Sequence, residues 1–252
     1  MRCTMAYSKN FADIYDFLMY KDIDYAHWAD YIENIFTHYD LSPDLVCDLA
    51  CGTGNFTTIL AKRGYDMTGV DISADMLSAA RAKAADEGLD ILFLNQDISR
   101  LDLYGSMGAF ICMIDGFNYI LVPSVLQNIF TKIHRCFLDP DGILIFDLSS
   151  YTKLKHTLGN NIFLHSERDM FYAWENTFHE KSAVSEMNLT FFRKGKSGYK
   201  RFSENHLQKA YTERQIVYML KKAGFSSVDT FAEFDLVPPD KDAERIVFAA
   251  RY

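Results

Sequence analysis

The chain has 252 residues, 49% hydrophobic and 24% charged, with a formal net charge of −8 at pH 7. That balance excludes intrinsic disorder, and the length suits one large domain or a domain carrying an insertion. The acidic excess argues against a nucleic-acid binder, because the basic residues Arg193, Lys194, Lys196, Lys200 and Arg201 span a glycine turn and read as a solvated hairpin tip. The cysteines, Cys3, Cys47, Cys51, Cys112 and Cys136, form no CxxC pair and several lie in apolar runs. Reduced, mostly buried thiols and no metal are expected. No apolar stretch is long enough to cross a bilayer and no signal-peptide core follows the N-terminus, so the cytoplasm is the expected compartment.

Residues 7–40 carry apolar side chains at three- and four-residue intervals, including Phe11, Ile14, Leu18, Trp28, Ile32 and Phe36, which predicts a helical cap. Strands are then predicted at 45–50, 67–71, 91–94, 109–114 and 143–148. Helices alternate with them at 55–63, closed by Gly64, from the N-cap Ser73 to about Glu87, and over 122–138. Asp139-Pro140-Asp141-Gly142 reads as a turn before the fifth strand. Continuous apolar strands between helices indicate a doubly wound, mostly parallel α/β sheet. Residues 163–211 instead alternate β-favouring residues with turn signals, which predicts a small antiparallel unit inserted at the sheet's edge. A helix over 212–223, with Thr212 and Gln215 as a capping box and Gly224 as its stop, and two last strands near 228–234 and 245–252 complete a seven-stranded sheet. The expected organisation is a helical cap over 1–40, a main domain over 41–150 and 212–252, and a β-rich insertion over 151–211.

The first strand runs into Asp48-Leu49-Ala50-Cys51-Gly52-Thr53-Gly54, a glycine turn that opens a helix and presents free backbone N–H groups to a ligand. Asp71 ends the second strand, where a carboxylate can accept both hydroxyls of a ribose. Asp97 follows the third, where it can accept from an adenine amine. All three fall at successive strand ends, the ligand-binding edge of such sheets. Thr57 stands where dinucleotide sites carry a third glycine, and Asp48 would repel a pyrophosphate. The ligand read from these residues is a cationic adenosine compound, and a nicotinamide oxidoreductase is disfavoured.

These segments, with Val70-Asp71-Ile72-Ser73, Met76-Leu77, Gln96-Asp97-Ile98 and Asp141-Gly142, resemble the ordered motifs of class I S-adenosylmethionine-dependent methyltransferases over residues 40–150. The resemblance implies a Rossmann-like fold and S-adenosyl-L-methionine as cofactor. It further implies that Asp48, Ala50, Gly52 and Gly54 form the turn at the methionine part and that Asp71 holds the ribose. Ile72 and Met76 would flank the adenine, and Gln96, Asp97 and Ile98 would meet its edge. Met76 also fits core packing at helical spacing. Phe11 to Asp16, Asp24 to Trp28 and Arg201 to His206 resemble small-molecule methyltransferases, among them amino-sugar and glycine- or sarcosine-type N-methyltransferases, in which cap and inserted sheet roof the site.

Methyl transfer is an in-line displacement that needs a lone pair about 3 Å from the methyl carbon, so orientation and water exclusion dominate. Tyr15, Tyr25 and Trp28 either enclose the sulfonium by cation–π attraction or pack as helix core. Asp115 is a candidate for the cofactor's amino group or an amine. Asn118 and Tyr119 are candidate substrate contacts, and Trp174 and Arg201 are either further contacts or structural. His206, with Tyr15, is the candidate catalytic group, as a general base near pH 7; a structural histidine is the alternative. The expected activity is methyl transfer to a small molecule, with an amine favoured. RNA or protein methylation and non-catalytic cofactor binding are the alternatives, and monomer and homodimer both remain open.

Overall fold

The computed structural model describes residues 9–167 and 169–252. Residues 1–8 of the expected cap, Cys3 among them, lie outside the described residues. The cap is helical, as two helices, α1 (Lys9–Asp22) and α2 (Tyr25–His38). They part where the Asp24 carboxylate accepts the His27 amide at 3.0 Å and caps α2.

From residue 45 strands and helices alternate as β1 (Leu45–Leu49), α3 (Asn55–Lys62), β2 (Asp66–Asp71), α4 (Ala74–Asp86), β3 (Leu92–Asn95), β4 (Met107–Cys112), α5 (Pro123–Lys132) and β5 (Leu138–Ser149). Four inserted strands follow, β6 (Ile162–Glu167), β7 (Met170–His179), β8 (Val184–Gly195) and β9 (Gly198–Lys209). The chain ends with α6 (Glu213–Ala223), β10 (Ser227–Ala232) and β11 (Arg245–Arg251). The main sheet has the order β10-β11-β5-β4-β1-β2-β3, parallel except for β11, which pairs antiparallel with β5 and β10. Chain order reverses between β1 and β4, which opens a crevice at their carboxyl ends.

Alternate residues of the central strands feed two cores. Cys47, Leu49, Phe110, Cys112, Leu144 and Phe146 face α5 and α6. Val46, Ala109, Ile111, Ile143 and Ile145 face α2 and α3. This two-sided burial is why the strands read as unbroken apolar runs. The capping box of Thr212 and Gln215 forms as expected. Asp139–Gly142, expected as a free turn, lies instead inside β5 as an irregularity. Met107 pairs with Leu138 and Ala109 with Ile143, so the extra residues bulge out of the ladder.

The insertion forms its own sheet, in the order β6-β7-β8-β9, and does not extend the edge of the main one. Asn118 ties it down: its side-chain amide donates to the carbonyls of Ser149 (3.1 Å) and Lys209 (3.0 Å) and accepts the Ser149 amide at 3.0 Å. Among the described residues no helix is long and apolar enough to cross a membrane.

Phe146 sits where the layers meet, fully buried and within 5.5 Å, ring centre to ring centre, of Phe117, Phe130 and Phe248. Phe146→Ala should destabilise the fold by about 3–5 kcal/mol. A fall in the urea midpoint at unchanged m-value checks this.

Candidate active site

The carboxyl ends of β1 to β4 open into one cavity. Asp48, Ala50 and Gly52 line it from β1 and its turn, Asp71 and Ile72 from β2, and Gln96, Asp97 and Ile98 from β3. Tyr119 comes from the segment after β4, and Tyr15 and Tyr25 descend from the cap. These expected residues are brought together on one wall.

Asp71 is 5% exposed and does structural work before any ligand arrives. Its Oδ2 accepts the Gly52 amide at 2.9 Å and its Oδ1 the Ser73 amide at 2.8 Å, so it locks the glycine turn to the end of β2. A carboxylate has about four lone-pair positions, and the rest remain for ligand hydroxyls. Burial raises its pKa, and the amides of Ser73, Gly52 and Ile72 pull it back. Gly52 holds φ +56°, and a side chain there would project into open space beside the turn.

Asp48 is deeper still. Burial pushes its carboxyl up to about 7, the Thr57 hydroxyl donating to it at 2.6 Å lowers it, and Asp71 raises it again. Thr57, read as a missing glycine, is therefore the partner of the acid beside the turn. Asp97 accepts the Ser99 amide at 2.9 Å and caps a short turn, while both polar ends of Gln96 are taken by the backbone of Asp102. Burial and neighbouring Tyr25, Tyr119 and acids raise Tyr15 well above the usual tyrosine pKa, so it stays a protonated donor. α1 is latched over the turn by Asp16, which accepts from Thr53 (2.5 Å) and Asn55 (3.0 Å) and pairs with Lys83 at 3.0 Å.

The other expected residues lie off the wall. Trp28 is 1% exposed and packs against Tyr31 and Phe234. Met76 is fully buried with Ile14, Met170 and Phe191. Gly54 is the left-handed N-cap of α3, where a Cβ would meet Ala80 at 3.0 Å. The carboxylate of Asp115 is taken up by Gln208 and Arg245, and Asn118 by the backbone contacts described above. Trp174 packs on Phe163, and Arg201 is exposed on β9. His206 is buried behind Tyr119, edge-on at 6.1 Å, and burial lowers its pKa to about 4. At neutral pH it is an uncharged, weak base, which works against the proton-accepting role expected of it.

Sequence reasoning missed Cys51, Thr53, Asn55 and Phe56, which also line the cavity, although they lie inside or beside the glycine motif. It also missed Met113, Ile120, Leu121 and Leu207, which no pattern marks, whereas Ile114 and Gly116 lie in the segment at the end of the fourth strand that supplied the candidates Asp115, Asn118 and Tyr119.

A family model described as a methyltransferase domain matches residues 46–142. A putative methyltransferase of Geobacillus sp. strain WCH70 is 32% identical over 245 residues, which span 96% of this chain and 98% of that protein. The crystal structure of a S-adenosylmethionine-dependent methyltransferase from Clostridium acetobutylicum ATCC 824 superimposes with a TM-score of 0.88 at 36% identity, covering 96% of this chain and 97% of that one. The chain belongs to the S-adenosylmethionine-dependent methyltransferases. A sugar N-methyltransferase from Streptoalloteichus sp. ATCC 53650 shares the fold at 19% identity and a TM-score of 0.77, covering 100% of this chain and 97% of that one. Two further relatives of this methyltransferase differ in chemistry. One is a glycine/sarcosine N-methyltransferase of Halorhodospira halochloris, 25% identical over 81% of this chain and 74% of that protein. The other is a carboxy-S-adenosyl-L-methionine synthase of Campylobacter jejuni strain 81-176, 26% identical over 94% of each.

The wall fits S-adenosylmethionine. Carboxylates at three strand ends, with Asp48 and Asp71 buried and Asp97 half-buried, suit a cationic cofactor with a ribose diol and an adenine amine, and suit a pyrophosphate poorly. Because burial lifts the Asp48 pKa, a cationic ligand must draw a proton from it below about pH 7. Cofactor affinity of this methyltransferase should therefore fall as pH drops, by roughly tenfold between pH 8 and pH 6 if only the ionised form binds. Calorimetric titration with S-adenosylmethionine checks this, and Asp48→Asn should bind more weakly at pH 8 with a flatter pH dependence.

Proposed function

We propose that the protein transfers a methyl group from S-adenosylmethionine to the nitrogen of a small-molecule amine. One observation carries the reading. The described cavity wall holds three carboxylates, Asp48, Asp71 and Asp97, and three tyrosines, Tyr15, Tyr25 and Tyr119, with no lysine, arginine or histidine. Such a wall attracts cations and repels phosphodiester groups. The name of the glycine/sarcosine N-methyltransferase relative supports nitrogen as the acceptor atom.

When bound, the cofactor supplies a methyl carbon activated by its sulfonium. In this reading Asp71 holds the ribose hydroxyls, Ile72 and Ile98 border the adenine, Asp97 accepts from its amine, and Asp48 faces the methionine charge. Tyr15, Tyr25 and Tyr119 form the acceptor side, where their hydroxyls orient an amine and their rings attract its charge by about 0.5–2 kcal/mol. The cap and the inserted sheet form the roof that keeps water out. With His206 off the wall and weakly basic, the acceptor enters as the free amine or loses its proton to water.

A second reading, carboxylation of the cofactor's methyl, is favoured by the carboxy-S-adenosyl-L-methionine synthase relative. Making that product brings a new carboxylate into the cavity, and the described lining offers no cationic side chain to meet it.

Incubation with methyl-labelled S-adenosylmethionine and size-fractionated extract of the source cells tests the proposal, with Asp71→Ala as the binding-deficient control. Label should enter the small-metabolite fraction and vanish with the variant. Label confined to macromolecules would overturn the small-molecule acceptor.

A further inference from the structure

At the end of β4 the backbone adopts a conformation that ordinary side chains avoid. Ile114 and Asp115 both lie in the left-handed region, at φ 56° and 54°. That is uncommon for any residue with a side chain, and rarer for a β-branched one. Consecutive residues of this kind persist only where their surroundings over-determine them.

Here the surroundings begin with Asp147, fully buried on β5. Its Oδ1 accepts the Ile114 amide at 2.5 Å and its Oδ2 the Asp115 amide at 3.1 Å. The charge of Asp147 is met by Arg245 at the start of β11, itself 7% exposed and in direct contact with it. The same guanidinium reaches the Asp115 carboxylate at 3.2 Å and Glu233 at 3.4 Å. The other oxygen of Asp115 accepts from the side-chain amide of Gln208 at 2.5 Å, and Gln208 belongs to β9 of the inserted sheet.

The chain of contacts thus runs from the main sheet through Arg245 and Asp115 into the roof, and the strained segment it holds reaches the cavity. Ile114, Gly116 and Tyr119 are wall residues on the β4 side of the cavity, across β1 and β2 from Asp97 and Ile98 on the β3 side. A buried ion pair by itself is weak ground for a functional role, since apolar replacement is often neutral. This pair does more, because its carboxylate accepts both amides of the strained step and its arginine shares the Asp115 carboxylate with Gln208 of the inserted sheet.

We propose that Arg245 and Gln208 are positioning residues for methyl transfer. They hold the 114–119 segment and the inserted sheet in register on the acceptor side of the cavity, and the adenosine side is independent of them. The inference rests on the methyltransferase activity and not on the identity of the acceptor.

The test compares wild type with Gln208→Leu, Arg245→Lys and Arg245→Met. Binding of S-adenosylmethionine is measured by calorimetry, and label transfer from methyl-labelled S-adenosylmethionine is followed across a dilution series of unfractionated source-cell extract, which counts any acceptor. Cofactor Kd should stay within about threefold of wild type in every variant. In Gln208→Leu and Arg245→Met the transfer rate at subsaturating extract should fall by at least about tenfold, with partial recovery in Arg245→Lys. The amides of residues 114–119 should exchange with solvent faster in the same two variants. Arg245→Met leaves Asp147 as an uncompensated buried charge, so its folding is checked by circular dichroism. Gln208→Leu leaves that ion pair intact and decides the matter if Arg245→Met does not fold. Wild-type transfer in Gln208→Leu, or cofactor affinity lost in step with activity, would overturn the proposal.

Discussion

Two backbone amides, those of Gly52 and Ser73, donate to the two oxygens of the Asp71 carboxylate at 2.9 and 2.8 Å. The first crossover of the sheet and the end of its second strand are thereby made one rigid piece. Around that piece the rest of the site is hung. The turn after β1 keeps its left-handed glycines, α3 starts where they end, and Asp48 is held beside the turn by Thr57. The same carboxylate that closes the turn keeps lone pairs for a ribose, so structure and cofactor binding draw on one group.

Charge then decides what such a cavity holds. Buried acids are costly unless something meets them, and this site meets them only in part. Asp71 has amides, Asp48 has one hydroxyl, and burial leaves both with raised pKa values. A positively charged ligand relieves that cost, whereas a phosphate would add to it. The same physics explains the acids beyond the wall: half-buried Asp115 and buried Asp147 carry Arg245 between them and so do not compete for the ligand.

Much of this was legible before any coordinates, for a physical reason. Strands buried on both faces must be continuously apolar, so β1, β2, β4 and β5 announced themselves, and Asp48 and Asp71 stood out at the ends of the first two, with Asp97 after β3. What stayed hidden depended on tertiary partners. Trp28 and Met76 have the spacing of helix core as well as the chemistry of a ligand cage, and packing alone decides for core. Asp115 and Asn118 sit where a substrate contact would sit, yet Arg245 and Ser149, distant in sequence, claim them. Asp147 left a trace, a charge inside an apolar strand, but its partner lies at the start of the last strand, and spacing cannot pair them. His206 has the right residue type, but burial sets its pKa, and burial is a property of the fold.

The most direct measurement is a crystal structure with S-adenosylmethionine bound. The account predicts the ribose hydroxyls on Asp71 with its bonds to Gly52 and Ser73 intact. It also predicts adenine between Ile72 and Ile98 with its amine toward Asp97, and the methyl facing the tyrosines of the cap and of the segment after β4. A ribose held elsewhere, or a glycine turn that must leave Asp71 to admit the cofactor, would contradict it.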